Sequence, residues 1–108
     1  MTAAMRPALL VIDLQRWFLE VGPPEKLAAV ESLIARTNEL IDFFHERGLP
    51  IIHIQTVHKA DRSTWNQWMK DHNSPRLLEG SREAEEHPGV HTYPTDVIGR
   101  RCWCLMLP

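Results

Sequence analysis

Two short aliphatic runs flank one long amphipathic segment, and this arrangement limits the chain to few folds. The first run is Ala8-Leu9-Leu10-Val11-Ile12, and it stops at a carboxylate, Asp13. The second is Ile51-Ile52-His53-Ile54, opened by Pro50 and closed near Thr56. Runs this short and aliphatic read as strands, the first as one buried on both faces. Between them, Leu27, Val30, Leu33, Ile34, Leu40, Ile41 and Phe44 recur with a helical period, predicting a helix over about Glu25–Arg47. Pro23 and Pro24 suit its entry, because proline is tolerated where the backbone N–H has no partner. His45 and Arg47 suit its negative end, and Gly48 can supply the left-handed cap. A strand, a long helix and a second strand form a right-handed βαβ unit with parallel strands.

After Thr56 the pattern is less regular. The stretch DRSTWNQWMKDHNSP predicts a short helix with Ser63 or Thr64 as N-cap, stopped before Pro75. EGSREAEEHPG reads as a polar loop with one helical turn, and HTYPTDVI as the approach to a third strand ending near Ile98. The final GRRCWCLMLP changes character and carries neither a helix signal nor alternation.

Charge and length narrow the function classes. At 108 residues the chain forms one domain at most, and a net charge of -2 offers no electrostatic case for nucleic acid or an anionic membrane. No apolar run approaches the roughly 18 residues that suggest a transmembrane helix. MTAAMRPALL lacks the basic, apolar, small-residue order of a signal peptide, so the expected location is the cytoplasm. Cys102 and Cys104 are too few for a disulfide framework. A Cys-x-Cys pair needs two further ligands for a closed metal site, so no metal and no other cofactor is expected.

Asp13 is the main chemical question. Ligands of open parallel α/β sheets bind outside the carboxyl ends of the strands, and Asp13 occupies such an end. The turn after it has no G-x-G-x-x-G and no Walker-type G-x-x-x-x-G-K, which argues against a dinucleotide or phosphate cradle. From position alone Asp13 is either a general base or an aspartate capping backbone N–H groups of the next loop.

The pattern Asp13-x-Gln15-x-x-Phe18 after an aliphatic strand resembles the opening signature of the isochorismatase-like cysteine hydrolases, a family that includes nicotinamidases and N-carbamoyl amidases. The likeness continues through the long helix, GLPIIHIQTVHKADRSTW and LLEGSREAEEHPGVHTYPTDVI, covering roughly Pro7 to Ile98. The resemblance implies a three-layer, Rossmann-like α/β fold with parallel strands, of which this chain holds the first half. It implies small-molecule substrates cleaved at a C–N amide or vinyl-ether bond. It also implies an Asp, Lys and Cys triad, in which an activated thiolate attacks a carbonyl. Asp13 carries over as the catalytic aspartate, and Gln15 and Phe18 as residues shaping the substrate site. The other two members do not carry over. Where the family has its lysine, this chain reads Gly99-Arg100-Arg101, and an arginine keeps the charge without being equivalent to an ammonium. The family cysteine lies further along than Cys102 or Cys104. Residues 1–98 are therefore expected to form a partial hydrolase domain, and residues 99–108 a tail without family likeness. A frameshift or early stop would produce such a truncated, catalytically incomplete chain. The alternative is a non-catalytic binding or regulatory module associating with itself or an intact homologue.

The histidines divide by context. Metal-binding relatives use an Asp-x-His after the second strand; here the stretch reads Thr56-Val57-His58, so the aspartate is missing. His58 either faces a substrate or is a loop histidine meeting a backbone carbonyl or water. His53, between Ile52 and Ile54, is a packed residue or lies at a sheet edge, whereas His72, His87 and His91 fall in polar stretches. Trp65 and Trp68 are three apart, hence on one face of a short helix, where they wall a pocket or seal the helix to the core. In the resembled fold the first strand pairs with a fourth that this chain lacks. Leu9 to Ile12 is then an open apolar edge, and self-association through it is expected.

Overall fold

A computed structural model describes residues 5–102. Three parallel strands, β1 (Leu9–Ile12), β2 (Ile51–Thr56) and β3 (Val97–Arg101), form a sheet in the order β1-β2-β3. Leu9 pairs with Ile51 and Ile12 with Ile54; Ile52 pairs with Val97 and Thr56 with Arg101. β2 is therefore central and β1 is an edge. β3 continues three residues past Ile98, because Gly99, Arg100 and Arg101 keep register with Ile54, Gln55 and Thr56.

Two helices precede β2: α1 (Arg16–Glu20) and α2 (Lys26–Glu46). α1 occupies part of what the sequence presents as a loop. Its five residues are too few to show a period, and an Arg16–Glu20 ion pair of 2.8 Å spans its one turn. α2 follows the predicted stripe and ends at Gly48, whose positive φ of 66° lets Gly48 N and Leu49 N donate to the carbonyls of His45 and Phe44. Val30, Ile34 and Ile41 of α2 bury against Val11 of β1 and Ile51 of β2, with Val90 completing this core.

The stripe on α2 is wider than the core. Leu33 and Leu40 lie on a neighbouring row and remain exposed, as does Leu27. Leu40 and Thr37 line a groove of about 310 Å³ with Leu9, Leu10, Val11, Ile12 and Leu14, along the outer edge of β1. The first strand is also not buried on both faces as its composition suggests. Val11 is buried beneath α2, but Leu10 is 50% and Ile12 43% exposed. In-register parallel neighbours point to the same side, so Leu10, Ile12, Ile52, Ile54 and Val97 share one face. None of the described helices buries that face.

The helix after β2 starts later than Ser63 or Thr64. It is α3 (Gln67–His72), and its cap is Asn66, whose side-chain oxygen accepts from Met69 N at 2.9 Å. Ser63 and Thr64 are occupied locally: Ser63 Oγ donates to Asp61 at 2.6 Å, and Thr64 Oγ1 accepts from Lys59 N at 2.8 Å. Trp65 thus precedes the helix. It is buried and donates Nε1–H to the Lys59 carbonyl at 2.7 Å. Trp68 is exposed and stacks on His72, with centroids 4.3 Å apart, so the two tryptophans do not share a sealed face. The single turn foreseen in the polar loop is a 3-10 helix over Arg82–Ala84.

Candidate functional site

The carboxyl ends of the three strands converge on Asp13. Its backbone N–H donates to the Ile54 carbonyl at 2.9 Å, and its φ is 59°, in the left-handed region that aspartate tolerates better than branched residues. This turn brings the carboxylate across the end of β2. Thr56 Oγ1 donates to Asp13 Oδ1 at 2.9 Å, and Arg101 Nη2 donates to Asp13 Oδ2 at 2.9 Å. Thr56 and Arg101 are register partners on adjacent strands, so their side chains leave the sheet on the same side. The Asp13–Arg101 pair is partly exposed, with about a quarter of each side chain accessible (26% and 29%).

Gln15 lies beneath this carboxylate with no exposed surface. Its Nε2 donates to the carbonyls of Thr56 and Ala84, both at 2.8 Å, and its Oε1 accepts from Thr56 N at 2.9 Å. The amide thereby ties the residue that holds Asp13 to the 3-10 turn, and Gln15 and Glu86 form an antiparallel bridge alongside. Phe18 sits on α1, half-buried and edge-on to Trp17 at 5.2 Å, and its carbonyl accepts from Lys26 Nζ at 2.6 Å.

His58 is buried two residues past Thr56. It lines a cavity of about 210 Å³ with Lys59, Thr64, Glu79, Arg100, Arg101 and others. Its Nδ1 lies 3.0 Å from the Thr64 carbonyl, to which it donates. Burial pushes the His58 imidazole below its ordinary 6.5, and the Thr64 carbonyl partly offsets this. Cys102 is buried and disulfide-bonded, so it presents no thiolate; Cys104 and the rest of 103–108 lie outside the described residues.

The donor set here does not fit a metal. The Thr56 hydroxyl is spent on Asp13, and Nδ1 of His58 is spent on the Thr64 carbonyl. Among the described residues no group of three or more His, Cys, Asp or Glu is placed to hold an ion. Nor is any helix among them long and apolar enough to cross a membrane.

A parallel βαβ sheet with a carboxylate at the end of its first strand, gripped from the neighbouring strand ends, defines an open α/β unit with its candidate site at the carboxyl ends of the strands. The sequence profile of the Isochorismatase domain matches residues 7–104, and the chain belongs to that family. No curated protein sequence matches it. Solved structures do. N-carbamoylsarcosine amidase from Thermoplasma acidophilum is 19% identical, with 90% of this chain aligned to 52% of that one at a TM-score of 0.69. A cysteine hydrolase from Pseudomonas syringae is 17% identical, with coverages of 90% and 46% and a TM-score of 0.74. A zinc-bound pyrazinamidase of Pyrococcus horikoshii is 22% identical, with coverages of 91% and 52% and a TM-score of 0.65. These likenesses establish the fold, and the chain spans about half the length of the structures it matches.

Two predictions follow from the geometry around Asp13. Replacing Gln15 by Leu strands Thr56 N, Thr56 O and Ala84 O, each at a cost of about 1–3 kcal/mol when buried. Denaturant unfolding of Gln15→Leu should show a loss of about 3 kcal/mol or more; a loss under about 1 kcal/mol would mean that water replaces the amide. The second concerns pH. Burial disfavours the His58 imidazolium in the folded chain, whereas the unfolded chain protonates near 6.5. The unfolded state binds more protons below that value, so this contribution is complete above it and declines as pH falls. Comparing unfolding free energies at about pH 7.5 and about pH 5.5 should show a drop that is smaller in His58→Gln.

Proposed function

We propose that the chain supplies the carboxylate–cation half of a hydrolase site for a small C–N amide or vinyl-ether substrate, and that it is catalytically incomplete alone. The observation that carries this reading is Asp13, placed at the end of β1 with both oxygens held by Thr56 and Arg101. In this role Asp13 is the proton acceptor and Arg101 the cation paired with it. Gln15 positions the end of β2 on which Thr56 stands, Phe18 walls the substrate side, and His58 closes the neighbouring cavity. Family membership supports the reaction class. The amidase and pyrazinamidase among the matched structures support amides as the first substrates to test. Incompleteness rests on chemistry: a carboxylate with both oxygens engaged is a weak nucleophile, and Cys102 offers no thiolate to activate.

The test has two arms. Ammonia release from N-carbamoylsarcosine and pyrazinamide by the 108-residue chain should not exceed that of Asp13→Asn, and Cys102→Ala should change nothing. Backbone amide shifts at Asp13, Thr56 and Arg101 should nevertheless respond to millimolar amide, and Asp13→Ala should abolish that response. Release that depends on Asp13 or Cys102 would overturn incompleteness. An unresponsive site would overturn the placement.

A second reading is favoured by one observation: among the described residues β1 pairs only with β2, and its outer edge runs along the apolar groove beside Leu40. An unprotected apolar edge is a template for another strand, and on this reading the chain is a non-catalytic module that binds itself or an intact homologue. Light scattering behind size exclusion should then give a mass above the 12.5 kDa monomer. Leu10→Lys, which puts a charge beside that edge, should restore the monomer. A wild-type chain that elutes as a monomer would sink this reading.

A further inference from the structure

His53, at the centre of β2, is enclosed without exposed surface, and each of its ring nitrogens faces a different carboxylate. Nδ1 lies 2.6 Å from Glu86 Oε1 and Nε2 lies 2.8 Å from Asp96 Oδ2. The carboxylates are enclosed as well, with the Glu86 side chain 14% and that of Asp96 2% exposed. Two further donors reach them: Thr92 Oγ1 donates to Glu86 Oε2 at 3.2 Å, and Tyr93 N to Asp96 Oδ2 at 3.0 Å. Among the described residues no lysine or arginine pairs with either carboxylate.

A neutral imidazole carries one N–H and one lone pair. In this position it would satisfy one carboxylate and set its lone pair against the oxygen of the other. A ring bearing both protons donates to both, and such charge-assisted bonds are short and strong. Burial of the cation is tolerable because it is paired on both sides.

We propose that His53 is a buried imidazolium clasping Glu86 and Asp96, and that this clasp positions both walls of the Asp13 site. One wall is the segment around Glu86. It pairs with Gln15, and its neighbours take Arg16 N onto Glu85 O and give His87 N to Leu14 O, both at 2.8 Å. The other is β3, which begins directly after Asp96 and ends at Arg101, the residue bonded to Asp13. A single cation in the middle strand thus fixes the loop bracing one side of Asp13 and the start of the strand supplying its other side. His53, Glu86 and Asp96 are positioning residues, since none touches Asp13.

The protonation state is directly measurable. Long-range proton–nitrogen correlation on the whole chain, with histidine labelled in its ring and kept at neutral pH, should place both His53 nitrogens among protonated ring nitrogens. The double variant Glu86→Gln with Asp96→Asn keeps size and removes both charges. In it the ring should revert to one protonated and one bare nitrogen, and amide exchange at Arg16 and His87 should quicken about tenfold or more. A bare nitrogen on wild-type His53 would overturn the proposal, and this spectrum decides even if the double variant does not fold. A folded double variant with unchanged exchange at Arg16 and His87 would overturn the positioning role.

Discussion

The carboxamide of Gln15 is the buried side chain that ties the end of β1 and the start of α1 to β2 and to the 3-10 turn. β1 has four residues and, among the described residues, pairs on one side only; α1 has five residues; the Arg82–Ala84 turn has three. Elements so short do not persist by propensity, because a helical turn alone does not repay its nucleation and a lone pair of strands is marginal. Gln15 donates twice and accepts once, to groups on β2 and in the 3-10 turn, from a position shut off from water. Only a primary amide offers this combination: a carboxylate has no donor, and an aliphatic side chain has neither function. The geometry of Asp13 is downstream of this bond set, since Thr56, which Gln15 holds through its backbone N–H and C=O, holds Asp13 through its side chain.

What could be read from the residues divides by the range of the interaction. The two first strands, the long helix and its Gly48 stop come from local rules of period, cap and proline, and the structure follows them. Asp13 at a strand end was legible for the same reason. The misses depend on contacts distant in sequence or on competition within one segment. Thr56 gave no sign that its hydroxyl would meet Asp13, 43 positions away. Arg100 and Arg101 were both visible as cations, but nothing selected Arg101: its contact with Asp13 spans 88 positions and depends on β3 keeping register past Ile98. Asn66 displaced Ser63 and Thr64 as cap because the hydroxyls of those two already served the Asp61 turn and Lys59. His53 reads from its neighbours as either packed or at a sheet edge, and nothing beside it announced carboxylates 33 and 43 residues later.

The sheet is asymmetric in how it is finished. Under α2, Val11 and Ile51 are buried, and His53 on the same side is enclosed with two carboxylates. The opposite face presents Leu10, Ile12 and Val97. All-parallel sheets are stable where helices cover both faces, because their strands are apolar on both sides. The composition of β1 therefore fits a doubly covered strand, and its present surroundings cover one side. The exposed row on α2, Leu33 and Leu40, extends the same apolar surface around the edge.

The arginine at the end of β3 leaves a particular mark on the site. Its Nη2 holds Asp13, while its Nε is buried without a hydrogen-bond partner among the described residues. A guanidinium grips a carboxylate best with two parallel N–H bonds. Here Thr56 already takes the other oxygen of Asp13, so the fork closes on one tine, and an unsatisfied buried donor costs about 1–3 kcal/mol. An ammonium has no fixed plane and could satisfy the same carboxylate without stranding a donor. The Thr56–Asp13–Arg101 arrangement is thus held more by the strand ends that carry it than by the fit of the arginine, which again makes the backbone ties through Gln15 the stronger constraint.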